Sequence, residues 1–380
     1  MVYRLQKALY GLKQAPRAWN IKIDSYFLQS GFQRSPSEPS LYVKTEEGTS
    51  NFLIACLYVD DLIYMGNSQL MMGDFKKDMM SRFEMTDLGL MRYFLGIQVK
   101  QENGRISLSQ EKYATDLLKK FNMSCCKPTC TPMIINEKLS RNDGAEKVDE
   151  TIYRKLVGSL IYLTNTRPDL VYAVSVVSRF MSEPSKLHFA AAKRILRYVQ
   201  GTKSYGVVFQ AEKDNKLVGY SDSDWAGSID DRKSTSGNVF FLGTKPISWS
   251  SKKQSTVAMS SAEAEYISAS GAACEAVWLR RILKDMKQCQ TTPTILFCDN
   301  LSAIAMTKNP VFHNRSKHIE LRHHFIRELA SRGEIELAFC KTGDQVADIF
   351  TKPIPTAKFL YFREKLGVID FSKLRGSVKS

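Results

Sequence analysis

The chain has 380 residues and a net charge of +15, which favours an acidic partner, either nucleic acid or an anionic membrane surface. A hydrophobic content of 43% excludes a disordered tail, and the length predicts two or three domains. No apolar run approaches the roughly 20 residues of a membrane span and no signal peptide leads the chain, so we expect an intracellular protein without membrane contact. The eight cysteines lack a closed zinc-binding spacing, which indicates reduced thiols.

The N-terminal part of the sequence, residues 1–123, mixes helices and strands. Two short apolar runs flank a tip that carries Asp60 and Asp61, which predicts an acidic β-hairpin. A second hairpin is predicted with Asn103 and Gly104 at its turn. The predicted elements in chain order are a helix beginning after Pro16, strands at 41–44, 52–57 and 62–65, a helix over 71–83, a hairpin over 93–108 and a helix over 109–122.

The middle part, residues 124–215, carries no chemical motif. A polar stretch over 124–150 with proline and cysteine indicates a linker. Apolar and basic helices are then predicted over 152–165, 168–181 and 186–199, and together they indicate a connecting helical module.

The pattern changes at residue 216 to strands, one long helix, and then strands alternating with helices. This order predicts an α/β domain with a mixed five-stranded sheet over 216–367, followed by a polar tail over 368–380. The predicted elements are strands at 217–221, 238–242, 247–250, 294–298 and 334–339, and helices over 262–286, after Asn300, over 315–331 and from near Asp344.

Four acidic residues stand at the ends of predicted strands or on predicted helices of this domain: Asp222, Glu265, Asp299 and Asp348. The ends of strands in an α/β sheet are where side chains converge. A divalent metal needs several hard oxygen ligands, and two-metal cleavage of a phosphodiester needs enough carboxylates to hold both ions. The placement therefore predicts a metal site formed by these four residues.

Helix geometry selects between two neighbouring glutamates. Glu265 begins an apolar stripe that continues through Ala269 and Ala272, so it is expected to face the sheet. Glu263 lies about 200° around the helix and is expected to face water or to cap the helix. Glu265 is therefore the predicted ligand.

Each acid also has a purely structural interpretation. Asp299 would serve equally as the N-cap of the helix that follows it, and Asp348 would complement a helix dipole. Asp222 and Asp224 would serve as turn residues. The combination of the four acids is more specific than any one of them.

The segments around these acids resemble the RNase H domain of copia-type LTR retrotransposon Pol polyproteins. The resemblance rests on residues 220–227 (YSDSDWAG), 232–237 (RKSTSG), 250–254 (SSKKQ), 260–266 (SSAEAEY), 298–300 (CDN), 309–310 (NP), 317–320 (KHIE) and 345–348 (QVAD). It implies cleavage of RNA in RNA:DNA hybrids with Mg²⁺, or alternatively Mn²⁺, held by Asp222, Glu265, Asp299 and Asp348. The segment 342–344 leaves no room for the histidine-bearing loop of cellular RNases H. His318, His323 and His324 are therefore expected on a basic surface rather than in catalysis.

The N-terminal part is similar to the reverse transcriptase of the same polyproteins. Residues 9–19 (LYGLKQAPRAW), 58–61 (YVDD) and 94–97 (FLGI) carry this likeness, and 164–169 (TNTRPD) and 194–198 (RILRY) resemble the connecting region. By this resemblance Asp60 and Asp61 belong to the polymerase metal site. That site needs a third aspartate from a region preceding the first residue here, so we expect polymerase activity to be lost.

The resemblance implies an α/β and α+β protein with four parts: a partial reverse transcriptase with palm and thumb-like regions (1–123), a linker and helical connection (124–215), an RNase H-like domain (216–367) and a tail (368–380). The expected partner is an RNA:DNA hybrid or another nucleic acid; self-association and association with a full-length polyprotein stay open. A cytoplasmic particle and the nucleus are both compatible locations. A catalytically inactive nucleic-acid-binding remnant is the alternative function. The residues expected to bind nucleic acid are Lys13, Gln14, Arg17, Lys252, Lys253 and Lys317.

Overall fold

The computed structural model describes residues 8–9, 11–102, 104–212, 214–308 and 320–375. The chain forms two compact units, the first made of Met1–Gly89 and Val277–Thr291 and the second of Leu90–Ala276 and Thr292–Ser380. Both contain helices and strands, so the chain is a mixed α/β protein with several sheets. None of its described helices combines the length and the apolar character that crossing a membrane requires.

The first unit is built on a four-stranded antiparallel sheet with the strand order β1-β2-β3-β4. Every second residue of β3 is buried, as the period of two predicts for a strand with one face on a core. The core is aromatic: the Phe27 and Tyr42 ring centroids are 4.5 Å apart, and Phe75 packs in the same cluster. Its elements are α1 (Ala15–Gln29), β1 (Gln33–Arg34), β2 (Leu41–Thr45), β3 (Phe52–Tyr58), β4 (Asp61–Gly66) and α2 (Gln69–Arg82).

The second unit contains two five-stranded sheets and most of the helices. Its first elements are β5 (Tyr93–Phe94), β6 (Ile97–Glu102), β7 (Arg105–Ser109), α3 (Glu111–Lys120), α4 (Glu150–Leu163), a 3₁₀ turn (Pro168–Leu170), α5 (Val171–Ser178), α6 (Lys186–Gly201) and β8 (Tyr205–Gln210). They are followed by β9 (Leu217–Ser223), β10 (Thr235–Leu242), β11 (Lys245–Lys253), α7 (Ser261–Asp285), β12 (Thr294–Cys298), α8 (Leu301–Lys308), α9 (Glu320–Ser331), β13 (Ile335–Phe339), a 3₁₀ turn (Val346–Phe350), α10 (Thr356–Lys365), β14 (Val368–Asp370) and α11 (Phe371–Arg375). The last residues of α7, from Val277 onward, belong to the first unit.

One sheet, with the order β14-β8-β7-β6-β5, joins segments that the sequence analysis assigns to three different parts of the chain. The strand β8 was not predicted, and the assignment of residues 368–370 to a polar tail is wrong, because they pair antiparallel with β8. Both strands are short and gain their hydrogen bonds only from distant partners, so no local pattern reveals them. Asn103, predicted at the β6–β7 turn, lies outside the described residues, and Gly104 has a φ of 71°.

The helices α4 to α6 pack in the largest hydrophobic cluster of the described residues. The Asp149 side chain accepts hydrogen bonds from two backbone N–H groups at the start of α4, and Ser185 and His188 form a capping box on α6. In the segment of the chain between α4 and α5, Arg167 and Asp169 form a fully buried ion pair. Arg167 donates to both carboxylate oxygens of Asp169, at 2.9 and 2.7 Å. Buried charges of this kind persist only when every hydrogen-bonding group is matched.

The second five-stranded sheet has the order β11-β10-β9-β12-β13. Strands β9, β10 and β11 are antiparallel, whereas β12 runs parallel to both β9 and β13. The five strands predicted over 217–339 are the ones that pair here. The helix predicted over 315–331 is described from Glu320 onward, since residues 309–319 lie outside the described part.

The helix predicted from near Asp344 is the main error in this half of the chain. The structure has a 3₁₀ turn over Val346–Phe350, and the helix α10 begins only at Thr356. Pro353 and Pro355 lie between them, and proline lacks the N–H that a continuing helix requires. Asp348 is therefore held by a short turn and not by the first turns of a long helix.

Candidate metal centre

Two of the predicted acids lie at the same edge of the second sheet. Asp222 is on β9 and Asp299 directly follows β12, and these two strands are parallel neighbours with Tyr220 opposite Phe297. Continuing that register places Asp222 beside Asp299. The carboxyl ends of parallel strands meet at one edge, so this convergence follows from the topology of the sheet.

The other two acids reach the same place from separate elements. Oxygen atoms of Asp222, Asp299 and Asp348 lie within 4.8 Å of one another, and atoms of Glu265, Asp299 and Cys298 form a second group of the same size. Asp299 belongs to both groups. The structure therefore brings together all four residues that the sequence analysis selected, although they are separated by up to 126 positions, as 348 − 222 shows.

Close packing brings the 3₁₀ turn of Asp348 against the sheet. Gly237 on β10 is opposite Asp222, and a Cβ atom at this glycine would lie 2.7 Å from both Phe350 Cβ and Thr351 Cγ2. Such distances are shorter than van der Waals contact. The turn can lie over β10 only because this residue has no side chain.

Polar contacts beneath the acids fix the end of β9. Gln345 donates from Nε2 to the carbonyl oxygen of Ser221 at 3.0 Å, and Ser268 on α7 donates to the carbonyl oxygen of Asp222 at 2.7 Å. The Thr351 hydroxyl donates to Asp222 Oδ2. These bonds connect β9 with both α7 and the 3₁₀ turn, so the Asp222 carboxylate is positioned before any ligand binds.

Burial of the acids changes their protonation. Asp222 is 1% exposed, and burial raises its pKa to about 6, with the Asp348 and Asp299 carboxylates adding to the rise and Lys352 opposing it. Burial, followed by the charges of Asp222 and Asp299, raises the pKa of Glu265 to about 9. Crowded carboxylates of this kind are unfavourable without a compensating cation.

Two lysines that the sequence analysis did not select supply compensating charge. Lys352 Nζ lies 2.7 Å from Asp348 Oδ1 and 3.4 Å from Asp222 Oδ2, and Lys358 Nζ lies 2.6 Å from Asp348 Oδ2. Burial disfavours the charge of Lys352, but the two aspartates outweigh it and raise its pKa. The four-residue spacing from Asp348 to Lys352 was a possible signal in the sequence, because it is the spacing of ion pairs on a helical turn.

The donor set fits a hard divalent cation. Carboxylate oxygens from four residues within a few ångströms are the ligands that Mg²⁺ and Mn²⁺ prefer. The neighbouring Cys298 thiol is a softer donor, and it lies 3.8 Å from Glu265 Oε2. Burial raises the pKa of this thiol, which favours its protonated form as a hydrogen-bond donor to the glutamate.

The structural interpretations of the acids are decided by their contacts. Asn300, and not Asp299, caps α8, because its side-chain oxygen accepts from the Ala303 N–H at 3.0 Å. Glu263 accepts from the Met259 N–H at 2.9 Å and is buried, so it has the capping position that the sequence analysis allowed and does not face water. Neither cap uses a residue of the acidic cluster.

The acidic hairpin of the first unit is a different kind of site. Asp60 and Asp61 lie at the exposed tip between β3 and β4, and Trp19 donates to the carbonyl oxygen of Val59 at 2.6 Å. Within the described ranges, no third cysteine, histidine or acid joins these two aspartates in a potential metal-binding group. The hairpin therefore offers two acids, whereas the centre in the second unit offers four.

The residues predicted to bind nucleic acid are mostly on the surface. Lys13, Gln14 and Arg17 are exposed at the start of α1, and Lys252 is exposed on β11. Lys253 is half-buried and pairs with Asp231 at 2.7 Å. Lys317 lies outside the described residues, as does His318, and the side chains of His323 and His324 are not described.

Comparison with known proteins gives matches over nearly the whole sequence. Residues 1–135 match the family model described as reverse transcriptase (RNA-dependent DNA polymerase). The chain is 43% identical to the retrovirus-related Pol polyprotein from transposon RE1 of Arabidopsis thaliana, over 97% of this chain and 25% of that protein. It is 35% identical to the putative transposon Ty5-1 protein YCL074W of Saccharomyces cerevisiae, over 71% of this chain and 88% of that protein.

The chain spans about a quarter of the length of the plant transposon Pol polyproteins that it matches. Among solved structures, the N-terminal RNase H domain of Rv2228c from Mycobacterium tuberculosis is similar at 14% identity with a TM-score of 0.28, over 39% of this chain and 96% of that chain. A likeness of this size supports no argument about function.

Proposed function

The chain belongs to the family of copia-type retrotransposon Pol polyproteins, and from this premise we propose that residues 216–367 form an RNase H-like nuclease that hydrolyses the RNA strand of RNA:DNA hybrids. The observation that carries the proposal is the convergence of Asp222, Glu265, Asp299 and Asp348 at one edge of the sheet. Four elements far apart in sequence supply these residues. A cluster of buried acids is unfavourable for stability, and such clusters are characteristic of functional sites.

In this proposal the four carboxylates hold Mg²⁺, with Mn²⁺ as an alternative. When bound, a divalent cation supplies an activated water and stabilises the charge that develops on the phosphate oxygens. Asp299 belongs to both ligand groups and is the residue on which the whole centre depends. Ser268, Gln345 and Thr351 orient Asp222 through β9 and its side chain.

The partner in this proposal is the phosphate backbone of a hybrid duplex. The net charge of +15 is suited to a polyanion, and Lys252 and Lys253 on β11 lie in the same unit as the acidic centre. Contacts between lysine and phosphate release counterions, so binding is expected to weaken steeply as the salt concentration rises.

Hydrolysis of a labelled RNA:DNA hybrid by the purified chain tests the proposal. We expect cleavage of the RNA strand with Mg²⁺, no cleavage with EDTA, and loss of cleavage in Asp299→Asn, because this change removes a charge from both ligand groups. Asp344→Asn is the matched control, since Asp344 is an exposed acid outside those groups. Hybrid cleavage by Asp299→Asn at the wild-type rate would contradict the assignment.

We further propose that this chain alone does not extend primers, although residues 1–135 match the reverse transcriptase family. Nucleotidyl transfer by two metals uses more carboxylate ligands than Asp60 and Asp61 supply at the exposed hairpin tip. A primer-extension assay on the same preparation tests this statement. DNA synthesis that disappears in Asp60→Asn would overturn it.

A binding-only protein is the second function to be tested. It is favoured by the two lysines that form ion pairs with Asp348, because an acidic centre with its own counter-ions is stable without a bound metal ion. This alternative predicts salt-sensitive binding of the hybrid without cleavage in either Mg²⁺ or Mn²⁺. The cleavage assay separates the two functions directly.

A further inference from the structure

Lys352 covers the two most deeply buried acids of the centre. Its Nζ lies 2.7 Å from Asp348 Oδ1 and 3.4 Å from Asp222 Oδ2, so the ammonium group bridges residues from two different elements. The Lys352 side chain is 39% exposed, whereas those of Asp222 and Asp348 are 2% and 1% exposed. The ammonium group therefore reaches the acids from the solvent side.

Lys358 has a different arrangement. Its Nζ contacts the other oxygen of Asp348 at 2.6 Å and donates to the carbonyl oxygen of Thr342 at 2.9 Å. It does not bridge two acids. Lys358 thus fixes the orientation of Asp348, while Lys352 fills the space between Asp348 and Asp222.

Among the described residues, no such counter-ion is found on the Glu265 side of the centre. In the part of the chain that the structure describes, no lysine or arginine forms an ion pair with Glu265 or Asp299. Asp299 Oδ2 instead accepts a hydrogen bond from the Thr342 hydroxyl at 3.1 Å. The positive charge is therefore concentrated on one side of a cluster whose acids extend over both.

We propose that Lys352 is a built-in competitor for a divalent cation, holding the position between Asp222 and Asp348 until the cation displaces it. This inference rests on the proposed function, because it concerns the same carboxylates. Mg²⁺ binds oxygen at about 2.0–2.1 Å, and an ammonium group at about 2.7–2.9 Å. A cation bound to Asp348 Oδ1 at that distance would lie within about 5 Å of the Lys352 Nζ, and two positive charges so close together repel each other.

The consequence is an unequal pair of cation positions. Binding on the Glu265–Asp299 side displaces no lysine, whereas binding on the Asp222–Asp348 side requires Lys352 to turn into solvent. A half-exposed lysine with a flexible four-carbon stem can make that movement. We therefore expect one cation to bind readily and the second to bind more weakly in the absence of nucleic acid.

Titration of the full chain with Mn²⁺, followed by electron paramagnetic resonance of the free ion, tests this inference without an activity assay. We expect the second Mn²⁺ to bind about tenfold more tightly to Lys352→Met than to the wild type, since the competing ion pair is removed. Lys352→Arg keeps the charge and should retain the weak second site. Lys341→Met is the matched control, because it removes an exposed charge next to Thr342.

Thermal unfolding gives a second measurement. Without metal, Lys352→Met should have a lower Tm than the wild type, because its acids have lost their counter-ion. Mn²⁺ should raise the Tm of Lys352→Met by more than it raises the Tm of the wild type. A Lys352→Met chain that folds only after Mn²⁺ is added supports the proposal equally.

Two results would overturn the inference, and they differ in what they mean for the proposed function. If Lys352→Met binds Mn²⁺ as the wild type and Lys341→Met do, Lys352 is not a competitor, while a nuclease that loses Mn²⁺ in Asp299→Asn would still stand. If the wild type binds no Mn²⁺ and cleaves no hybrid, the proposed function fails and the inference fails with it.

Discussion

Replacing one acid of the centre should stabilise the metal-free protein while it abolishes activity. Glu265 is the most informative position, because burial and the charges of Asp222 and Asp299 raise its pKa from 4.5 to about 9. Above pH 4.5 the unfolded chain releases the Glu265 proton, whereas the folded chain retains it up to about pH 9. Stability is therefore lost as the pH rises through this window.

The size of the effect follows from the pKa difference. At pH 7 the folded chain holds a proton that the unfolded glutamate would release about 2.5 pH units lower, which corresponds to about 3 kcal/mol. Glu265→Gln removes this penalty but keeps a polar side chain, so we expect a gain of about 1–3 kcal/mol. For a unit of this size the gain corresponds to a rise in Tm of about 5 °C.

Thermal unfolding in EDTA, followed by circular dichroism at several pH values, measures the gain. The Tm of Glu265→Gln should be clearly higher than that of the wild type at pH 7. Near pH 5 the difference in the free energy of unfolding should fall below about 1 kcal/mol. Mg²⁺ should reverse the order, because it stabilises the wild type more than the variant.

Glu263→Gln is the matched control for this experiment. Glu263 is also buried on α7, but its carboxylate accepts a hydrogen bond from the Met259 N–H, so the amide should bring no gain. A Glu265→Gln variant that melts at or below the wild type at pH 7 in EDTA would refute the reasoning. Equal gains in both variants would show that the crowding of Glu265 by Asp222 and Asp299 is not the cause.

Two further variants test the framework around the site. Arg167→Met should lower the free energy of unfolding by about 3–5 kcal/mol, because it leaves the Asp169 carboxylate buried without its cation. Unfolding in urea measures this loss, and a loss under about 1 kcal/mol would contradict the role of the ion pair. Gly237→Ala should lower stability by about 1–3 kcal/mol and reduce hybrid cleavage, because the added methyl group pushes Phe350 and the turn of Asp348 off the sheet. Unchanged Tm and cleavage in Gly237→Ala would show that the turn accommodates the methyl group.

The candidate acids could be selected from the sequence because the relevant signals are local. Asp222 and Asp299 end apolar segments with the pattern of strands, and Glu265 begins an apolar stripe at helical spacing. The buried face of a strand or helix can be identified from the spacing of the apolar residues in its own segment. The structure brings these acids together with Asp348, as their positions predicted.

Other features depend on contacts between residues far apart in sequence, and these needed the tertiary structure. The strands β8 and β14 exist because they pair with each other and with β7. Gly237 admits the turn that carries Asp348, and nothing in its own neighbourhood indicates this. Lys352 follows Asp348 by four residues in the sequence, but only the fold places its ammonium group between two buried aspartates.

The sequence by itself determined the family and most of the strands and helices, and it predicted the four acids, because family motifs and hydrophobic periodicity are patterns of neighbouring residues. The tertiary structure alone decided the charge balance of the site. Electrostatic energy depends on distance in space and on burial, and neither can be read from the spacing of residues along the chain.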